Sequence, residues 1–214
     1  MSQLIVNEIF HSIQGESSRA GFPCVFIRLT FCNLRCTYCD TAYAFHEGSP
    51  LTIEEILRVV ASYRCNLVEV TGGEPLMQEP VHELMTRLCD LGYEVLLETG
   101  GSLDISRVDP RVRRIVDLKC PGSGMAQKNL WDNIRHLRQT DEVKFVIGSR
   151  EDFDWSVARV REHELDRRAP VLFSVVHDAL EPVRLAEWIL GTDINARMQL
   201  QLHKYIWNPE TRGV

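Results

Sequence analysis

The chain has 214 residues, 44% of them hydrophobic and 25% charged, with a net charge of −6, proportions that suit one globular domain with a real core. The acidic balance argues against duplex nucleic acid as a main partner, because phosphate binding wants a basic face. No apolar run approaches the roughly 18 residues that span a bilayer, and the start, MSQLIVNEIFHSIQGE, lacks the basic and apolar parts of a signal peptide. The expectation is a cytoplasmic protein without a membrane partner, whose seven cysteines serve metal binding or catalysis rather than a disulfide framework.

In chain order, the sequence predicts strands at 24–30, 66–71, 93–99, 113–119, 142–148, 169–176 and 198–206. Several are apolar at consecutive positions, as a parallel strand buried on both faces requires. Helices are predicted between them at 53–64, 77–91, 127–138, 151–165 and 181–190, the first with Thr52 and Glu55 spaced as a capping box. Alternating strands and helices imply a parallel sheet or barrel with helices outside. A full eight-stranded barrel takes about 250 residues, so a partial barrel of six or seven units fits better.

The predicted strand ends carry polar or ligand-type residues: Cys32, Gly72-Gly73-Glu74, Glu98-Thr99, Asp117 and Lys119, Ser149, and Ser174 with His177. Active sites assemble at such ends in parallel α/β folds, although solvated loops also place polar residues there.

Cys32, Cys36 and Cys39 form C-x3-C-x2-C. Three soft thiolates in one loop suit zinc or an iron-sulfur cluster. A structural zinc site takes four protein ligands, which His46 would complete, whereas a cubane held by three cysteines leaves one iron open. Cys24, Cys65 and Cys89 stand singly, where free cysteine usually packs as a small hydrophobe; Cys120 ends a predicted strand near the mouth of the site, so core packing is expected there too, with a functional role open beside it.

The cysteine spacing with Tyr38 before the last thiol, followed after the next strand by Thr71-Gly72-Gly73-Glu74-Pro75, resembles the radical S-adenosylmethionine (SAM) superfamily. Asn7-Glu8-Ile9-Phe10, Ser12-Ile13-Gln14-Gly15-Glu16, Phe26-Ile27-Arg28-Leu29, Cys39-Asp40-Thr41, Glu98-Thr99 and Gln201-Leu202-His203-Lys204-Tyr205 resemble, within it, the 7-carboxy-7-deazaguanine synthases. That resemblance covers essentially the whole chain. It implies a single radical SAM domain over 1–214, a partial (β/α)6-type TIM barrel, with a cluster loop at 31–41 and a tail at 204–214 closing the substrate site.

The resemblance also implies the chemistry. Cys32, Cys36 and Cys39 would bind a [4Fe-4S] cluster, SAM would chelate its open iron, and a 5′-deoxyadenosyl radical would take hydrogen from 6-carboxy-5,6,7,8-tetrahydropterin. The ring contracts and ammonia leaves, giving 7-carboxy-7-deazaguanine on the route to queuosine, with SAM regenerated. SAM contacts carry over to Tyr38, Cys39, Asp40, Gly73, Asp117, Leu118, Lys119, Ser174, Val175, Val176 and His177. Substrate contacts carry over to Ile13, Gln14, Gly15, Glu16, Arg28, Thr71, Glu98, His203 and Val214, and a magnesium ligand to Thr41. Arg28 suits the substrate carboxylate as a bidentate donor. A homodimer and an external, flavodoxin-like electron donor complete the implied assembly. In some relatives the chain ends a few residues after the matching histidine, and its terminal carboxylate touches the ring. Here eleven residues follow His203.

Two other readings share parts of this pattern. A radical activase acting on a glycine of a partner protein has the same cluster spacing without needing Gln14, Glu16, Arg28 and Thr41 as a set. A zinc module would use Cys32, Cys36, Cys39 and His46.

Overall fold

The computed structural model describes residues 2–214. In chain order its elements are β1 (Gln3–Ile13), β2 (Pro23–Leu29), β3 (Ser49–Thr52), α1 (Ile53–Ser62), β4 (Leu67–Gly72), α2 (Val81–Asp90), β5 (Glu94–Thr99), β6 (Arg113–Asp117), β7 (Glu142–Ile147), α3 (Arg150–His163), α4 (Leu165–Arg168), β8 (Val171–Val175), α5 (Pro182–Leu190), β9 (Ala196–Met198) and α6 (His203–Ile206). They form one nine-stranded sheet in the order β3-β1-β2-β4-β5-β6-β7-β8-β9. From β2 onward every pairing is parallel, so the molecule is a single α/β domain with the partial-barrel sheet that the sequence predicts. Two antiparallel strands not anticipated in the sequence, β1 and β3, extend it at one edge.

Strand parity sorts the side chains. Val25, Ile27 and Leu29 of β2, Val68 and Val70 of β4, Val95 and Leu97 of β5, and Val143, Phe145 and Ile147 of β7 all join the large core beneath the helices. The alternate positions point inside the barrel, as the two-residue repeat of a strand dictates. There Phe10, Cys24, Phe26, Leu67, Leu96 and Ile115 make a small apolar plug. Further along the same strands, the inward positions are Arg28, Glu69, Thr71, Glu98, Asp117 and Lys144, all on one cavity. A register shift between Val6 and Glu8 moves β1 from one phase to the other, so that Leu4 and Val6 face the large core while Phe10 enters the plug.

Local signals hold where local forces decide. Thr52 caps α1, its side chain accepting from the Glu55 N–H while the Glu55 carboxylate accepts from the Thr52 N–H. Ser149 caps α3 through the Asp152 N–H. The helix predicted at 127–138 is instead two 3₁₀ turns, Ala126–Lys128 and Trp131–His136. Asn129 bonds both the N–H and the carbonyl of Lys119, and Asn133 bonds Ile105 and Leu103. Those backbone claims compete with a regular helix. The strand predicted at 198–206 is also corrected. β9 ends at Met198, Gln199 closes its ladder on Phe173, and Leu202 then bonds the Gly15 carbonyl, turning the chain into α6.

Asp141, fully buried, ties the start of β6 to β7. It accepts from the Arg114 N–H at 3.0 Å, the Arg114 Nε at 3.1 Å and the Arg138 N–H at 2.8 Å. Burial, the largest single influence, pushes its carboxyl up, but the hydrogen bonds and charges of Arg114 and Arg138 together hold it below the ordinary value. A carboxyl depressed in the folded state stabilises fully above its unfolded pKa of about 3.9 and loses that contribution as pH falls through the folded value. Asp141→Asn is expected to cost about 3–5 kcal/mol at pH 7, since it strands a buried arginine. The gap in thermal midpoint between parent and variant should shrink as pH falls below about 4; an equal gap at both ends of the titration would contradict this account.

Candidate active site

The strand C-termini, the cluster loop and the tail enclose a cavity of about 740 Å³, within the usual range of small-molecule sites. Cys32, Cys36 and Cys39 all line it. Their loop is docked on both sides. Thr37 bonds the Ser123 carbonyl through its N–H and the Gly122 carbonyl through its hydroxyl, and the Cys39 N–H bonds the Cys36 carbonyl. At its entry Phe31 adopts φ of 77°, an uncommon left-handed conformation for a bulky residue. The Phe31 carbonyl accepts from the Glu74 N–H at 2.7 Å, and its N–H donates to Ala44.

Gly72 and Gly73 lie against this loop. At Gly72 φ is 141°, and an added Cβ would sit 2.5 Å from the Leu29 nitrogen. A Cβ on Gly73 would overlap the Phe31 carbonyl and stand 3.0 Å from Cys32 Cβ. Glu74, fully buried, accepts from the Leu76 and Gly100 N–H groups and the Thr99 hydroxyl, bracketing the ends of β4 and β5. Burial pushes its carboxyl up.

The donor set fits the implied groups. Three thiols share one cavity wall, and soft thiolates suit the irons of a cluster. His46 lies outside the cavity lining. Asp117 presents a buried Oδ1 without a partner, while its Oδ2 accepts from Lys119 Nζ at 2.8 Å. An orphaned carboxylate oxygen on the cavity wall is a ready acceptor for a polar cofactor.

Of the other residues carried over for SAM, Tyr38, Asp40, Val176 and His177 line the cavity. Leu118 and Val175 belong to the large core, and Ser174 is fully buried with an unpartnered Oγ. These three point away from the cavity wall or lie behind it.

The residues carried over for substrate also converge there. Arg28 donates its Nε to Glu8 at 2.7 Å and lies over the rings of Phe10 and Tyr43. Its Nη1 and Nη2 hydrogen-bond none of the described residues, so the fork is free toward the cavity. The Gln14 amide is engaged by the chain itself, its oxygen by the Glu16 N–H at 2.9 Å and its nitrogen by Glu69. Glu16 accepts from Gln201 at 2.8 Å and Gln199 at 3.2 Å. Gly15 has no room for a side chain, because a Cβ would overlap the His203 imidazole.

Two residues of this wall were not legible as site residues, Glu69 and Lys144. Their signal was a charge inside an otherwise apolar strand, LVEVTG and EVKFVI. Lys144 Nζ lies 2.5 Å from Glu16 and 2.7 Å from Glu98. Burial depresses the ammonium, but the two carboxylates outweigh it and raise it well above its ordinary value. Glu98 is pushed up by burial and pulled further down by Lys144, and its other oxygen accepts from Thr71. Glu69 is held well above the ordinary range by burial and by the charges of Glu98 and Glu16.

The tail closes over the mouth. Lys204 pairs with Asp40 at 2.8 Å. Arg212 pairs with Glu47 at 2.9 Å and stacks 3.8 Å above the Tyr43 ring. Pro209 through Val214 line the cavity.

Residues 26–176 match the radical SAM superfamily. Over its full length the chain is 48% identical to a 7-carboxy-7-deazaguanine synthase of Chlorobaculum tepidum, covering 99% of this chain and 97% of the relative. A synthase of the same name from Koribacter versatilis is 42% identical over 98% and 99% of the two chains. The crystal structure of QueE from Escherichia coli superposes with a TM-score of 0.75 at 24% identity, over 92% of this chain and 93% of that one, and supports the fold. Full-length identity at this level, together with three cysteines and a Gly-Gly-Glu turn on one cavity, shows that the chain belongs to the 7-carboxy-7-deazaguanine synthases of the radical SAM superfamily.

Proposed function

We propose that this enzyme converts 6-carboxy-5,6,7,8-tetrahydropterin into 7-carboxy-7-deazaguanine and ammonia, in 7-deazapurine biosynthesis. The observation that carries the reading is the single cavity joining Cys32, Cys36 and Cys39 to Arg28, Glu16 and Glu98. Bound to the three thiolates, a [4Fe-4S] cluster with SAM supplies a hydrogen-abstracting radical. The chain's own residues hold the reactants. Gly72 and Gly73 let backbone approach the cofactor, and Asp117 Oδ1 and Lys119 offer it an acceptor and a donor. Arg28 takes the substrate carboxylate with its free fork, while Glu16 and Glu98 accept from the N–H edge of the pterin. Thr41, beside Cys39 on the same wall, offers a hard oxygen to magnesium. His203 and Val214, with the 204–214 tail, cover the substrate.

The same reading takes residues 1–214 as one radical SAM domain that works in the cytoplasm as a homodimer, reduced by an external flavodoxin-like donor. All seven cysteines are free, which suits a reducing setting, and among the described residues no helix is long and apolar enough to cross a membrane.

The test is anaerobic turnover of the reconstituted enzyme with dithionite, SAM, magnesium and the pterin, followed by mass. A product lighter by one ammonia, without stoichiometric 5′-deoxyadenosine, is the expected result. SAM cleavage with the pterin untouched would reject the substrate and favour the activase reading. Arg28→Ala removes a charged hydrogen bond worth about 1.5–3 kcal/mol, so KM for the pterin should rise roughly 10- to 150-fold. An unchanged KM would take the substrate carboxylate away from Arg28.

A further inference from the structure

We propose that Lys144 is a positioning residue of the substrate site, an ammonium beneath the cavity that aims the Glu16 and Glu98 carboxylates at the pterin. Lys144 is 4% exposed, in the middle of a strand buried at every position. A lysine at that depth is rare unless it is paired, and this one has two partners on separate elements, the 14–17 segment and β5. Its two bonds leave each carboxylate little freedom. Glu16 Oε1 is held by Gln201, and its Oε2 by Lys144 and Gln199. Glu98 Oε1 is held by Lys144 and its Oε2 by Thr71. A carboxylate held from both oxygens presents its remaining lone pairs in fixed directions, which is what a supporting contact contributes to a binding site.

The charge arrangement points the same way. Three acids, Glu16, Glu69 and Glu98, share the cavity wall with Lys144. Gln14 donates to Glu69 and keeps that acid on the chain. Lys144 Nζ sits between the other two, in contact with both, and offsets the repulsion of like charges placed side by side. The wall thus presents acceptors to an N–H-rich ring, while Arg28 supplies a separate cation for a carboxylate.

This inference rests on the proposed pterin substrate, and the experiment separates the two. Turnover of the parent enzyme tests the substrate. Lys144→Met then tests the lysine, in reconstituted full-length enzyme with iron content and SAM binding measured alongside. The variant is expected to raise KM for 6-carboxytetrahydropterin at least tenfold, with kcat within threefold and with iron and SAM binding as in the parent. Without the ammonium, Glu16 loses a partner and burial pushes the Glu98 carboxyl up. Their other titratable neighbours, Glu69 on β4, Lys119 after β6, Asp40 in the cluster loop and His203 on α6, are present in parent and variant alike. A new acid limb should therefore appear in 1/KM, with binding lost as pH falls. Lys144→Arg keeps the charge, but its planar fork redirects both acceptors. It is expected to raise KM three- to tenfold without the acid limb, and it carries the test if Lys144→Met does not melt cooperatively. A parental KM in either folded variant overturns the proposal, as does a loss confined to kcat.

Discussion

Cys36→Ala is expected to abolish turnover and to leave no cubane cluster after anaerobic reconstitution, while the apoprotein melts close to the parent. The Cys36 thiol is partly buried, and burial pushes it and Cys32 above the ordinary thiol value, so metal binding must expel protons from both. Three attachment points are the minimum this chain offers on the cavity wall, and the methyl group of alanine removes one. The loop itself does not depend on the sulfur, because Cys36 enters the local hydrogen bonding through its backbone carbonyl. Cys89→Ala is the matched control. Cys89 lies on α2, packed against the large core, so its loss should cost about 1 kcal/mol with full iron content. Iron lost equally from both variants would refute this division of the cysteines.

Gly73→Ala should be nearly as damaging, for a steric reason. Its Cβ would stand 2.6 Å from the Phe31 carbonyl carbon, and ordinary contact needs about 3.5–4.0 Å. The obstacle is backbone, which has no rotamer to change, and it leads directly into Cys32. Phe31 is already left-handed and pinned by Ala44 and Glu74, so the cluster loop must move by about an ångström. A misplacement of that size costs on the order of 100-fold in rate, which is the expected fall in kcat/KM. Overpacking costs about 1–3 kcal/mol, or roughly 2–12 °C in thermal midpoint for a chain of this size. Gly191→Ala serves as comparison, since its Cβ would meet only ordinary contacts at 3.5 Å. Parental turnover by Gly73→Ala would show that the approach of the two segments is looser than the geometry implies.

The cysteine spacing, the Gly-Gly-Glu turn and the capping box were readable because each depends on neighbours a few positions apart. The parallel strands were readable from consecutive apolar residues such as those of VLFSV. Asn129 and Asn133 defeated a helical pattern because their side chains serve Lys119, Ile105 and Leu103, contacts that periodicity does not contain. The tail departs from a strand for the same kind of reason, since Gln201 turns to reach Glu16, 185 residues away.

The sequence by itself determined the α/β class and the family, and put the three cysteines in one loop, because those follow from local spacing and from motifs held in one stretch of chain. Only the tertiary structure decided that Gln14 turns to Glu69, that Lys144 joins Glu16 to Glu98, and that Arg212 and Lys204 bring the tail down onto Tyr43 and Asp40. Those contacts depend on strand parity and register: Glu69, Glu98 and Lys144 share the inward phase of three strands, and a one-residue slip would turn any of them toward the helices. A charge in an apolar strand announces that a partner exists, and only the folded sheet shows which one it meets.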